Sequence, residues 1–148
     1  MQKDQSTTTS DKLSSFTKRI LVVDDDPDIT FTFRKGLEAE NEKSSSGSSN
    51  KVLFKVNSCN DPLLALSEFR PGLYDLVLID INMPKLDGIE LSRQILELDV
   101  NVKICLVTAG EANIEALREL YPTRSIGCYI KKPITIEHLV RRIKEELG

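Results

Sequence analysis

Apolar residues gather in short runs at 20–23, 52–56, 76–79, 102–107 and 126–130, broken only by Lys55 and Lys103, and between the runs they recur at helical spacing instead. A run that is apolar at nearly every position is buried on both faces, the pattern of a parallel sheet covered by helices on each side. The intervening segments fit those helices. Ile29, Phe33 and Leu37 share one face of a helix from Pro27 to about residue 40, with Pro27 suited to its first turn. Asn60-Asp61-Pro62 reads as a capped helix start ahead of a short helix at 63–69. Leu91, Ile95 and Leu98 share a face at 88–98, which Asp99 and Asn101 end, and a helix at 114–120 is closed by Tyr121-Pro122. Thr135 can cap a last helix carrying Ile136, Leu139, Val140, Ile143 and Leu147. Five strands alternating with five helices predict an α/β domain with one parallel sheet, helices on both faces and right-handed crossovers.

The polar residues that stand out sit where the apolar runs stop. The first run stops at Asp24-Asp25-Asp26, and the third stops at Asp80 before the turn signals Met83-Pro84 and Asp87-Gly88. The fourth stops at Thr108 and the fifth at Lys131-Lys132-Pro133. Ligands of open α/β sheets bind at strand carboxyl ends, so Asp24, Asp25, Asp80, Thr108 and Lys132 are predicted to share one edge. Asp80 by itself could be a plain loop cap; its company at that edge makes it a candidate reactive group. Carboxylates brought together repel one another unless some are protonated or a cation lies among them. Mg2+ fits such a set, because it takes one or two protein carboxylates, keeps several waters and completes its shell with phosphate oxygens. Zinc does not, since His138 stands alone in the last helix and Cys59, Cys105 and Cys128 are scattered. The Lys132 ammonium can hold a phosphoryl oxygen and the Thr108 hydroxyl can donate to another. Phosphoryl transfer needs those parts: a carboxylate nucleophile, a metal and positive charge over the moving group.

Composition narrows the setting. A chain of 148 residues fits one domain, and a net charge of -3 leaves no basic footprint for nucleic acid. No apolar run reaches membrane-spanning length and the first residues lack a signal-peptide core, so a cytoplasmic protein without membrane or direct nucleic-acid contact is expected. The cysteines, odd in number and widely spaced, are expected to be buried and reduced. Residues 1–17, polar and rich in Ser and Thr, are expected to be a disordered tail before a folded domain at 18–148. Residues 41–50, NEKSSSGSSN, are expected to be a mobile linker at the edge opposite the strand carboxyl ends.

VVDDD, LVLIDINMPKLDG, LVTA and YIKKP, in that order and at compatible spacings, resemble the receiver domain of two-component response regulators from about residue 18 to the C-terminus. The resemblance implies a flavodoxin-like, doubly wound five-stranded parallel sheet of order 2-1-3-4-5 with five helices. It implies Asp80 as phosphoacceptor, Asp25 as a direct Mg2+ ligand, Asp24 as a ligand through water and Asn82 as a ligand through its backbone carbonyl. Thr108 and Lys132 match the phosphoryl-contacting positions, Tyr129 the aromatic switch position, and Lys132-Pro133 a cis peptide. A sensor histidine kinase or phosphotransfer protein would supply the phosphoryl group, with no catalysis beyond self-phosphotransfer and self-dephosphorylation. A downstream effector would read the change on the fourth helix, fifth strand and fifth helix, roughly 114–147, a surface that can also pair two copies. Because the chain ends with the fifth helix, a stand-alone regulator is expected. The 41–50 segment stretches the interval between acidic pair and acceptor beyond the usual one, which bears on partner recognition rather than chemistry.

Two other readings stay open. Phosphatases resembling the haloacid dehalogenase family also use an aspartyl nucleophile in a D-x-D motif after their first strand, and Asp24-Asp25-Asp26 offers one. That reading lacks a further acidic pair, since only Glu137, Glu145 and Glu146 follow Lys132, on a helix. A receiver-like module that binds without being phosphorylated usually shows losses in the site, and none is visible. Lys131 and His138 read as solvated or packing residues, Asp26 and Asp28 as favouring the first helix through its dipole, and Asp87 as turn chemistry.

Overall fold

The computed structural model describes residues 17–43, 52–109 and 126–148. In order they form β1 (Thr17–Val23), α1 (Pro27–Ala39), a 3-10 turn (Glu40–Glu42), β2 (Leu53–Cys59), α2 (Pro62–Glu68), β3 (Leu76–Asp80), α3 (Gly88–Leu98), β4 (Lys103–Ala109), β5 (Ile126–Lys132) and α4 (Ile136–Leu147). The helix expected at 114–120, residues 1–16 of the expected tail and residues 44–51 lie outside the described residues, whereas Thr17, placed in that tail, opens β1 because it pairs with Leu53 of β2. Every strand pairing is parallel and the order is β2-β1-β3-β4-β5, the doubly wound, flavodoxin-like arrangement.

The apolar runs become the strands: β3 is buried along its whole length, β1, β4 and β5 over most of theirs, and β2, at the edge of the sheet, buries only alternate residues. Ile20, Val22, Leu76 and Leu78 pack on one face beneath Phe33 and Leu37 of α1 and Leu139 and Ile143 of α4. Val23, Val77 and Ile79 pack on the other beneath Ala65 and Phe69 and, from α3, Leu91 and Ile95. Each such aliphatic side chain taken fully from water contributes about 1.5–3 kcal/mol. Side chains start the helices as the pattern requires: Asp26, Asp61, Asp87 and Thr135 accept the backbone N–H of Asp28, Leu63, Glu90 and His138. Asp87 is therefore a helix cap, worth about 1 kcal/mol, and not only a turn residue. Among the described residues no helix is long and apolar enough to cross a membrane.

Several expectations change. The second strand runs on to Cys59, past the end of its apolar run, because ladder bonds to β1 continue to the pair Val23 and Cys59 while its outer residues face water. Leu98 has the right angular position but is the last residue of α3, where it is 49% exposed. Ser92 is buried on that helix instead, its hydroxyl donating to the Ile89 carbonyl at 2.7 Å. Asn41, placed in the mobile linker, is anchored: its amide donates to the Phe54 carbonyl and accepts the Phe54 N–H, each at 2.7 Å. It thereby occupies hydrogen-bonding groups on an edge strand that would otherwise face solvent. Cys105 and Cys128 are buried free thiols as expected, whereas Cys59 is only half-buried. Between β4 and β5 the register steps from Ile104–Ile126 to Cys105–Cys128, so Gly127 is an extra, bulged residue. Through that bulge Ile126 and Tyr129, three positions apart, pack on the same face.

Candidate functional site

The carboxyl ends of β1, β3 and β5 converge on three carboxylates and an ammonium. Asp24 follows β1, its N–H bonded to the Cys59 carbonyl at 3.3 Å and its Oδ1 accepting the Asp26 N–H at 2.9 Å as the chain turns into α1. Asp80 is the last residue of β3. Both are buried, at 3% and 5% exposed, while Asp25 faces solvent. Each of the three offers an oxygen within 4.8 Å of the others. Lys132, at the end of β5, places Nζ 3.1 Å from Asp24 Oδ2 and 3.6 Å from Asp80 Oδ1. The first contact is a hydrogen bond; the second is too long for one and acts through charge alone. Asp80 Oδ1 is consequently a buried oxygen with no hydrogen-bond partner.

Burial, followed by repulsion from Asp24 and Asp25, raises the Asp80 carboxyl above its ordinary value, with Lys132 and the Asn82 N–H pulling the other way. The conflict is physical: among the described residues one ammonium faces three carboxylates, so the cluster carries more negative charge than it balances. The expected ligands Asp24, Asp25 and Asp80 are thus brought together, and Asn82 reaches Asp80 through its backbone N–H.

The loop after Asp80 is held by close backbone approach. Ile81 N–H donates to the Val107 carbonyl at 2.8 Å and Gly88 N–H to the Ile81 carbonyl at 2.9 Å. A Cβ on Gly88 would lie 2.2 Å from the Asp80 carbonyl oxygen, so that contact admits only glycine. Lys85, at φ +73°, adopts the left-handed region and sets its ammonium 3.3 Å from Asp61. The Lys132-Pro133 peptide is cis, as the motif implies.

Thr108 follows Val107, the register partner of Asp80, and is buried; among the described residues its hydroxyl makes a long, 3.5 Å contact to the Ala109 carbonyl. Tyr129 pairs in register with Leu106, two residues before Thr108, and at 7% exposed packs inward among the side chains of the α2/α3 face. Asp26 is engaged in capping α1 and Lys131 is exposed. Among the described residues, Asp24, Asp25 and Asp80 form the acidic group able to hold a metal ion, and Glu137, Glu145 and Glu146 of α4 do not join it.

Asn60 belongs to the site and was read from sequence only as part of a helix start. Its amide donates to the Asp24 carbonyl and to the Thr30 hydroxyl, both at 2.9 Å. The same rule that singled out the other residues could have found it, since it directly follows the carboxyl end of β2.

The sequence profile described as the response regulator receiver domain matches residues 20–144. The transcriptional regulatory protein PrrA of Mycobacterium leprae (strain TN) is 30% identical over 126 residues, covering 85% of this chain and 48% of PrrA. ResD of Bacillus subtilis (strain 168), also a transcriptional regulatory protein, is 33% identical over 126 residues, covering 85% of this chain and 46% of ResD. The chain thus spans about half the length of these curated relatives. A CheY-like response regulator receiver domain protein from Methanospirillum hungatei JF-1 superposes with a TM-score of 0.69 at 29% identity, covering 88% of this chain and 94% of that one.

Proposed function

Because the chain belongs to the response regulator receiver domain family of two-component systems, we propose that Asp80 accepts a phosphoryl group from the phosphohistidine of a sensor histidine kinase or phosphotransfer protein. In that step an Asp80 oxygen forms a bond to phosphorus as the bond from phosphorus to the histidine nitrogen breaks. The observation that carries the proposal is the Asp80 carboxylate itself: buried at a strand end, one oxygen without a hydrogen bond, beside an acidic pair and a lysine.

The same cluster fits a hard divalent cation, since its unbalanced negative charge and its orphaned oxygen are what such an ion would satisfy. Asp25 and Asp80 would hold Mg2+ directly, Asp24 through water and Asn82 through its carbonyl. Bound there, Mg2+ would offset the negative charge of the phosphoryl oxygens and so let an anion enter an acidic site. Lys132, tied to Asp24 in this structure, is within reach of Asp80 and would hold a phosphoryl oxygen. The weakly engaged Thr108 hydroxyl would donate to another.

Charge added at Asp80 would draw Thr108 toward it and bias the packing of Tyr129, reshaping β5, α4 and the 114–120 segment for a downstream effector or a second copy. Residues 18–148 would be the receiver, working in the cytoplasm and without direct contact to nucleic acid. The phosphatase reading finds less support, because Asp26 already serves as a helix cap and no further acidic pair joins the cluster among the described residues.

Acetyl phosphate with Mg2+ should give a base-labile adduct by intact mass, lost in Asp80→Asn and in EDTA. An adduct mapped to Asp24 or Asp26 would instead favour the phosphatase. Amide NMR with a beryllofluoride mimic tests the switch: shifts confined to the loops at Asp25 and Asp80, none reaching Tyr129 or α4, would overturn it.

A further inference from the structure

We infer that Asn60 is a positioning residue for the metal-binding acidic turn, holding Asp24 and Asp25 in place without contacting the metal or phosphoryl group; this rests on the Mg2+ reading above. The ladder between β1 and β2 ends at the pair Val23 and Cys59. Asp24 is nevertheless gripped on both sides of its backbone, its N–H by the Cys59 carbonyl at 3.3 Å and its carbonyl by the Asn60 amide at 2.9 Å. The Asn60 side chain thus prolongs the ladder by one residue, to the point where the chain must turn and present two carboxylates.

The second amide hydrogen fixes the other end of the turn. It bonds the Thr30 hydroxyl at 2.9 Å, and Thr30, buried in the first turn of α1, passes its own hydrogen to the Pro27 carbonyl at 3.1 Å. One side chain therefore ties the end of β1 to the start of α1, across the turn that holds Asp25. The assignment of the amide is forced, because a backbone carbonyl can only accept and so must face nitrogen. Asn60 is available because Asp61 alone caps α2. Asp25 is exposed and reaches the cluster only through the course of its backbone, so the turn's shape sets the distance between its carboxylate and those of Asp24 and Asp80.

Residues that orient metal ligands from behind typically change affinity by about 10-fold or more when removed. Mg2+ titrations of the full chain, followed by calorimetry and amide NMR, should therefore show Asn60→Ala weaker by about 10-fold. Thr30→Val, which acts through the other end of the bridge, should be weaker by a smaller factor, and the double variant no weaker than Asn60→Ala. At saturating Mg2+ the Asn60→Ala rate of phosphorylation by acetyl phosphate should return toward wild type, since the loss lies in metal binding. Asn57→Ala serves as the control, because Asn57 donates to the Tyr74 hydroxyl at 3.0 Å, away from the acidic turn. It should keep the wild-type Mg2+ affinity. Failure of the wild-type chain to bind Mg2+ would remove the functional reading and this one with it. Wild-type binding with unchanged affinity in both Asn60→Ala and Thr30→Val, whatever their melting temperatures, overturns the Asn60 inference alone.

Discussion

Asp80→Asn keeps the shape of the side chain and removes its charge, so it reads directly how much strain the acidic cluster places on the fold. In the wild-type protein Asp80 Oδ1 is buried without a hydrogen bond, and a buried polar group left unsatisfied costs about 1–3 kcal/mol. Against the relief stands the lost attraction of the largely buried Lys132 at 3.6 Å, which burial and repulsion from Asp24 and Asp25 together outweigh, since the Asp80 carboxyl is held above its ordinary value, and Lys132 keeps its hydrogen bond to Asp24. The asparagine can still accept the Asn82 N–H and can turn its amide toward the neighbouring carboxylates. The balance favours the variant by about 1–2 kcal/mol, which in a domain of this size raises the melting temperature by about 2–8 °C.

The pH dependence follows from the raised Asp80 value. Between the ordinary carboxylate range and that raised value the folded state binds more protons than the unfolded one, so wild-type stability falls as pH rises through this window. The advantage of Asp80→Asn should therefore be greatest above the raised value and should shrink as pH drops through it into and below the ordinary range. Mg2+ should reverse the order, because an ion that binds the folded wild-type protein adds about 2.7 kcal/mol at a hundred times its Kd. Circular dichroism melts in EDTA and in Mg2+, across pH, measure all three effects. An Asp80→Asn variant that melts below wild type in EDTA at neutral pH would refute the reasoning.

Three further changes test the frame. Gly88→Ala sets a methyl 2.2 Å from a backbone oxygen that no rotamer can avoid, so urea unfolding should show a loss of about 2–3 kcal/mol or more; unchanged stability would mean the loop is freer than drawn. Lys132→Met leaves buried carboxylates without their cation and should cost about 3 kcal/mol in EDTA. Denaturation repeated in millimolar Mg2+ should recover part of that loss, and equal deficits in both buffers would contradict the charge argument. Gly36→Ala places a Cβ 2.6 Å from Ile136 Cγ2, on a stiff β-branched side chain, so overpacking of about 1–3 kcal/mol should exceed the roughly 1 kcal/mol gained in helix propensity. Combining it with Ile136→Ala should give less than additive damage in the same unfolding assay.

What was legible in the sequence is what neighbouring residues decide among themselves. An apolar run at 76–79, short and closed by turn signals, reads as a strand covered on both sides, and Asp61-Pro62 or Thr135 can start a helix with groups already at hand. Once the strands are parallel, their carboxyl ends share an edge, so Asp24, Asp25, Asp80, Thr108 and Lys132 could be grouped without coordinates. The contacts that lay hidden join residues whose separation in the chain carries no pattern. Asn60 reaches Asp24, Asn41 reaches Phe54, and Gly88 returns to the backbone of Asp80, each across a stretch that local preference does not measure. The bulge at Gly127, which brings Tyr129 to the same face as Ile126, likewise depends on how β4 and β5 settle into register. The same holds for Asp80 Oδ1, buried without a partner: composition can count carboxylates and lysines, but only the packed strand ends determine which oxygen the one ammonium fails to reach. Local preference acts over a few residues, whereas register and close approach are set by the whole sheet at once, and the chemistry of this site depends on both.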